Sequence, residues 1–172
     1  MPGLIHLYCG DGKGKTTAAL GLALRAAGAG KQVVFTQFFK DGSSSEMEPL
    51  AALTGVRVFH ADTVRGFYRN MTPSQREQAG KDYTALFRQV TQAAREADLL
   101  ILDEIVSACN RGVVPEKLVT DFLREKPARL EVVLTGRNPS AALLELADYI
   151  TEMRKLRHPF DRGIGARKGI EF

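Results

Sequence analysis

The stretch Cys9-Gly10-Asp11-Gly12-Lys13-Gly14-Lys15-Thr16-Thr17 admits few folds. An apolar run, Leu4 to Tyr8, stands before it, and the helix-forming Ala18 to Leu24 follows. Strand, glycine-rich turn, Gly-Lys-Thr and helix is the order that a phosphate-binding loop requires. The glycines let backbone N–H groups converge on phosphate oxygens, and the helix N-terminus adds its positive partial charge. Lys15 then reaches the phosphate chain as a point charge, and the Thr16 hydroxyl faces a bound Mg²⁺. The first glycine of the usual G-x-x-x-x-G-K-[ST] spacing falls on Cys9. A flexible glycine–lysine surface turn is the competing reading; the flanking strand and helix favour a nucleotide site.

A chain of 172 residues with 44% hydrophobic and 26% charged side chains fits one domain, 1–172, with a substantial core. The formal net charge of +4 suits an anionic small molecule, and no dense Lys/Arg run argues for nucleic acid. Cys9 and Cys109 lack C-x-x-C spacing and fall on or beside expected strands, so buried thiols are expected rather than a disulfide or zinc site. No signal peptide and no membrane-length apolar run are read, and a cytoplasmic enzyme is expected.

Along the chain, Thr16 to Ala27 reads as a helix stopped by Gly28-Ala29-Gly30, and Gln32 to Phe39 as a buried strand. Arg25 in the last turns of that helix is either solvated or folded back toward the nucleotide; local sequence favours the former. Glu46 to Thr54 is a short helix and Val56 to His60 a strand, with His60 more naturally structural than catalytic. Phe67-Tyr68 lies in an aperiodic stretch and is either a hydrophobic plug or a platform for a flat ligand. Thr72-Pro73-Ser74-Gln75 predicts an N-cap, a first helical proline and a capping box. Tyr83, Leu86, Phe87, Val90, Ala94 and Ala97 then form one buried stripe.

Leu99 to Leu102 followed by Asp103-Glu104 is an apolar strand ending in carboxylates, the place where phosphate-loop proteins put a metal-binding acid. Pro115 to Lys126 predicts an amphipathic helix, and Leu130 to Thr135 a strand. Asn138-Pro139 would cap a helix over Ser140 to Ala147, and Tyr149 to Met153 would be a last core strand. The basic tail from Arg154 is either solvated or a lobe over an anionic ligand. Strands alternating with helices mean an α/β three-layer sandwich with a mostly parallel sheet, whose ligands bind beyond the carboxyl ends of the strands. Such a site supports phosphoryl transfer, ATP hydrolysis or attack elsewhere on the nucleotide. No dedicated base or water-orienting group stands out, which leaves catalysis to positioning and leaving-group electrostatics. A phosphate-loop small-molecule kinase or ATPase, or a nucleotide-regulated binding module, stays open at this point.

Several stretches carry a sharper signal: Gly10 to Ala19, Arg25-Ala26-Ala27-Gly28, Gln37-Phe38, Leu102-Asp103-Glu104, Leu134-Thr135-Gly136-Arg137, Leu146-Ala147-Asp148 with Thr151-Glu152-Met153, and His158-Pro159-Phe160 through Phe172. Together they resemble the phosphate-loop ATP:corrinoid adenosyltransferases of cobalamin biosynthesis and salvage. The resemblance implies a RecA-like P-loop nucleoside triphosphate hydrolase fold. It implies transfer of the 5′-deoxyadenosyl group of ATP to the Co(I) centre of cobalamin or cobyrinic acid a,c-diamide, with triphosphate released and no base needed. ATP would lie with its phosphate chain reversed relative to kinases, so that C5′ faces the corrinoid.

By the same resemblance, Gly10, Asp11, Gly12, Lys13, Gly14, Lys15, Thr16 and Thr17 hold the triphosphate, and Arg25 contacts the nucleotide. Thr16, Asp103 and Glu104 hold Mg²⁺ (or Mn²⁺), with Lys15 and Glu104 the catalytic pair. Phe67 and Tyr68 lie against the corrin face and exclude its lower axial base, easing reduction of cobalt. A homodimer and an electron donor such as a flavoprotein reductase are implied, with neither nucleic acid nor membrane as partner. Family members often carry a tryptophan beside that phenylalanine; Tyr68 stands there in this chain, which has none. Many also carry an N-terminal extension over a neighbouring subunit's corrinoid. This sequence opens on its first strand, so a different corrinoid affinity or choice is expected.

Overall fold

A computed structural model describes residues 2–40, 44–61, 68 and 71–171. Six strands, β1 (Ile5–Cys9), β2 (Val33–Gln37), β3 (Val56–Phe59), β4 (Leu99–Asp103), β5 (Glu131–Thr135) and β6 (Tyr149–Glu152), form one sheet in the order β3-β2-β4-β5-β1-β6. Every pairing in it is parallel. The helices α1 (Lys15–Gly28), α2 (Met47–Ala51), α3 (Pro73–Ala93), α4 (Ile105–Asn110), α5 (Glu116–Glu125) and α6 (Ala141–Leu146) complete the expected α/β sandwich.

Parallel strands need crossover connections, and helices on both faces bury the central strands completely. All five residues of β2 and of β4 are buried accordingly. Ala19, Ala23 and Ala26 of α1 pack with Val33, Phe35 and Ile101 on one face. Tyr83, Phe87 and Val90 of α3 pack with Leu7, Leu100 and Leu102 on the other. The expected α3 stripe is buried throughout. Its N-terminus is the expected one: Thr72 accepts from Gln75 N–H, Gln75 accepts from Thr72 N–H, and Pro73 opens the helix.

Helix α1 stops within Gly28-Ala29-Gly30 as expected: Gly28 is its last residue, and the left-handed residue that turns the chain is Gly30, φ +76°. Several other expectations are corrected. Asn138 and Pro139 do not begin the helix; Asn138 is left-handed at φ +52°, and the Ser140 hydroxyl accepts the Leu143 N–H as the cap of α6. Asparagine tolerates that conformation, so the Asn-Pro pair serves the turn. Cys109 is buried as expected but sits in α4, a helix not foreseen in the sequence. Strand β6 is not a core strand: all four residues are exposed, because it pairs with β1 alone at the sheet edge. Tyr149 there stacks on His6 with ring centroids 4.5 Å apart.

Candidate functional site

The carboxyl ends of the strands collect the functional side chains. The phosphate loop leaves β1 through Gly10, φ +97°, and enters α1 through Gly14, φ +118°. Only glycine takes these conformations without strain. Gly10 and Gly12 have a second reason: a Cβ on either would lie 2.5 Å from the Met153 carbonyl oxygen, to which the Gly12 N–H donates at 2.6 Å. The loop is thus moulded on the segment just past β6.

Lys15 is buried, and its ammonium donates to the Gly10 carbonyl at 2.8 Å and the Gly12 carbonyl at 2.7 Å. Burial pulls its pKa below the ordinary value, and Arg137 adds to that, against Glu104, Asp11 and Asp103. Asp11 is turned to the tail, accepting the Lys155 N–H at 2.9 Å, and that bond holds its carboxyl below the usual range. Lys13 and Thr17 are exposed at the loop surface. Thr16, Thr17 and Leu20 form one side of a cleft of about 350 Å³, faced by Lys40, Glu46 and the tail residues Gly169 to Glu171. Most of the tail is exposed, and its last residues lie beside the loop, where Arg167 grips Glu171 at 3.0 Å with Lys13 nearby.

Asp103 ends β4 fully buried. Its carboxylate accepts from Thr16 Oγ1 at 2.9 and 3.1 Å, from Thr135 Oγ1 at 2.7 Å and from Gln37 Nε2 at 3.3 Å. Burial raises its pKa; the Thr135 and Thr16 bonds and Lys40 oppose that, while Glu104 reinforces it. Glu104 is left-handed, φ +62°, and its N–H donates to Thr135 Oγ1 at 2.9 Å. Its carboxylate accepts from Ser107 Oγ. A non-glycine residue held there marks a position over-determined by its surroundings. Gly136, φ +147°, makes room for it: a Cβ would sit 2.7 Å from Val106 Cβ at the start of α4.

Thr16, Asp103 and Glu104 offer hard oxygen donors suited to Mg²⁺. Among the described residues no three His, Cys, Asp or Glu side chains form a closed metal cage. Mg²⁺ is commonly held by one or two carboxylates with phosphate oxygens and water supplying the rest. Gln37 Oε1, buried beside Asp103 and without a hydrogen-bond partner among the described residues, fits such a hydrated ion. The donor set therefore suits the metal.

Not every expected residue joins this group. Arg25 lies at the far end of α1, roughly 15 Å along the helix axis from Lys15. There it lines a groove with Pro2, Gly3 and Asp98 at the opposite edge of the sheet. Phe67 lies outside the described residues. Tyr68 is half-buried against Phe39, with ring centroids 5.5 Å apart. Glu46 and Ser107 were not anticipated as site residues; Gln37 and Thr135 lie in stretches that carry the family resemblance but were assigned no role. The signal for two of them was positional: Gln37 and Thr135 end β2 and β5 as Asp103 ends β4, and such ends line the ligand crevice of parallel sheets.

A glycine loop between β1 and α1, a lysine inside it and an acid two strands away define a P-loop nucleotide-binding protein. A KaiC-like protein from Pyrococcus horikoshii shares this fold, with a TM-score of 0.58 and 18% identity over 91% of this chain and 75% of that one. So do the ATPase domains of EssC from Geobacillus thermodenitrificans, with a TM-score of 0.55 and 17% identity over 97% of this chain and 35% of that one. The family model described as ATP:corrinoid adenosyltransferase BtuR/CobO/CobP matches residues 1–172, and the chain belongs to that family. Corrinoid adenosyltransferases of Escherichia coli K12 and Pseudomonas aeruginosa are 35% and 33% identical to it. Both alignments cover 99% of this chain, with 86% and 84% of the relatives covered. No helix among the described residues is long and apolar enough to cross a membrane.

Proposed function

We propose that this enzyme transfers the 5′-deoxyadenosyl group of ATP to the Co(I) centre of a reduced corrinoid and releases triphosphate. The observation that carries the reading is the phosphate loop itself, Lys15 inside and Thr16 tied to Asp103, in a chain of the corrinoid adenosyltransferase family. In the reaction the filled orbital of Co(I) forms the Co–C bond to C5′ while the C5′–O bond breaks. The electron pair leaves with triphosphate, and the cobalt becomes formally Co(III). No proton moves at the reacting carbon, so the step calls for no general base.

The chain's task is then to hold the leaving group and aim C5′. Lys15, Lys13, the loop N–H groups and Thr17 neutralise the triphosphate as charge accumulates on it. Thr16, Asp103 and Glu104 would hold Mg²⁺, which supplies further neutralisation of that charge. Gln37 and Thr135 keep the Asp103 carboxylate pointed at the loop. Phe67 and Tyr68 would wall the corrin face. We further propose a homodimer of single-domain chains, working in the cytoplasm and supplied with electrons by a flavoprotein reductase.

The test is anaerobic incubation with ATP and chemically reduced cobalamin, following the visible spectrum and the phosphate products. One triphosphate for each cobalt–carbon bond is expected. ADP or orthophosphate as the product, without a Co–C bond, would make it a kinase or ATPase instead.

A further inference from the structure

We propose that Arg111, lying over the Phe39 ring, is a carboxylate-reading subsite for the rim of the corrinoid, biasing the enzyme toward corrinoids with free carboxylate side chains. The proposal names the substrate class of the site described above and rests on the adenosyl-transfer reading.

The placement comes from the sheet. Gln37 is in register with Asp103, and the Phe38 N–H donates to the Asp103 carbonyl at 3.0 Å. Phe39, the next residue, therefore stands at the carboxyl edge beside the acid that faces the loop. Its backbone is left-handed, φ +61°, an uncommon conformation for a bulky residue that functional sites often retain. The ring is wedged edge-on between Tyr83, at 5.4 Å, and Tyr68, at 5.5 Å.

Over that ring lies the Arg111 guanidinium, its Cζ 4.7 Å from the Phe39 centroid and 6.0 Å from that of Tyr68. Arg111 is exposed at the C-cap of α4. Its side chain has neither a carboxylate nor a hydrogen-bonded acceptor among the described residues. Arg76 adds a second guanidinium to the same wall, 5.4 Å from the Tyr68 ring. A guanidinium drawn to ring faces by its charge spends no N–H on them, and its five donors can match a planar carboxylate with two parallel hydrogen bonds.

The nucleotide phosphates are not the natural occupant. Phe39 and Tyr68 pack with α3 on one face of the sheet, whereas α1, which the phosphate loop opens, packs on the other. An anion at Arg111 belongs to the second substrate. Corrin rings carry a fringe of acetate and propionate side chains, free in early precursors and amidated in cobalamin. A guanidinium prefers the charged form over the neutral amide, since charge-assisted hydrogen bonds are roughly twice as strong as neutral ones.

The experiment compares cobyrinic acid a,c-diamide with cobalamin as Co(I) substrates at saturating ATP, in wild type and Arg111→Gln. The ratio of kcat/KM for the carboxylate-bearing over the amidated corrinoid should fall roughly tenfold or more, chiefly through KM. Visible titrations with the oxidised corrinoids should show the same loss, with a weaker dependence on ionic strength in the variant. An unchanged ratio, or equal losses for both corrinoids, overturns the proposal. Calorimetry with inorganic triphosphate reports whether the variant is folded. Should Arg111→Gln fail it, Arg111→Lys, which keeps the charge but not the fork, decides by the same ratio. A wild-type enzyme that forms no Co–C bond with either corrinoid sinks the adenosyl-transfer reading instead, and the titrations then still judge Arg111.

Discussion

Thr16 Oγ1 donates to both carboxylate oxygens of Asp103, at 2.9 and 3.1 Å, joining the start of α1 to the end of β4 across the intervening strand β5. Thr135 on β5 donates to the same carboxylate from between them. The phosphate loop and the acidic strand end are thus one hydrogen-bonded unit, and the unit can be taken apart one residue at a time.

Asp103→Ala takes the acceptor from the Thr16 donor and from the buried donors of Thr135 and Gln37. We expect a loss of about 2–4 kcal/mol in urea unfolding and the loss of most adenosylation activity. Asp103→Asn, which keeps one acceptor oxygen, should lose less stability but comparable activity. Wild-type turnover in Asp103→Asn would remove the carboxylate from the mechanism.

Lys15→Ala removes the cation that the Gly10 and Gly12 carbonyls hold in the loop. Calorimetry with inorganic triphosphate should show binding weakened by about a hundredfold. The far-ultraviolet spectrum should be retained, because α1 begins at an open N-terminus. An affinity within threefold of wild type would contradict the placement of Lys15 on the phosphate chain.

Gly136→Ala combines a left-handed backbone with a Cβ only 2.7 Å from Val106 Cβ. A destabilisation of about 2–3 kcal/mol is expected from thermal or denaturant unfolding. Because the shift displaces α4 and with it Glu104, metal-dependent activity should fall more steeply than triphosphate affinity.

Burial raises the Cys9 pKa, with Glu152 adding to the effect, and pushes Cys109 up from 9.0 to about 12. Both thiols should therefore resist iodoacetamide at pH 8 in the folded protein and react on unfolding. A thiol whose folded pKa is raised stabilises the fold fully below its unfolded value. That contribution is lost as pH climbs from about 9 toward 12. A Cys109→Ser variant whose stability falls across that range as steeply as wild type would show that other groups govern it.

Much of the molecule can be read from neighbouring residues. The cap at Thr72, the Tyr83–Val90 stripe, the Gly-Lys-Thr turn and the strand running into Asp103 depend on contacts a few positions apart, and local periodicity and turn chemistry report such contacts directly. The alternation of strands and helices is enough to specify a parallel α/β sheet. Other features depend on residues far apart in the chain. The sheet order placed β6 at an exposed edge rather than in the core, and put Thr135 between Thr16 and Asp103, 119 and 32 positions away. The left-handed Glu104 is compatible with the close approach of α4 to Gly136, and the two rings against Phe39, Tyr68 and Tyr83, come from separate segments. Pairing register and packing between distant segments leave no local period to read, so these relationships exist only once the sheet has closed on both of its faces.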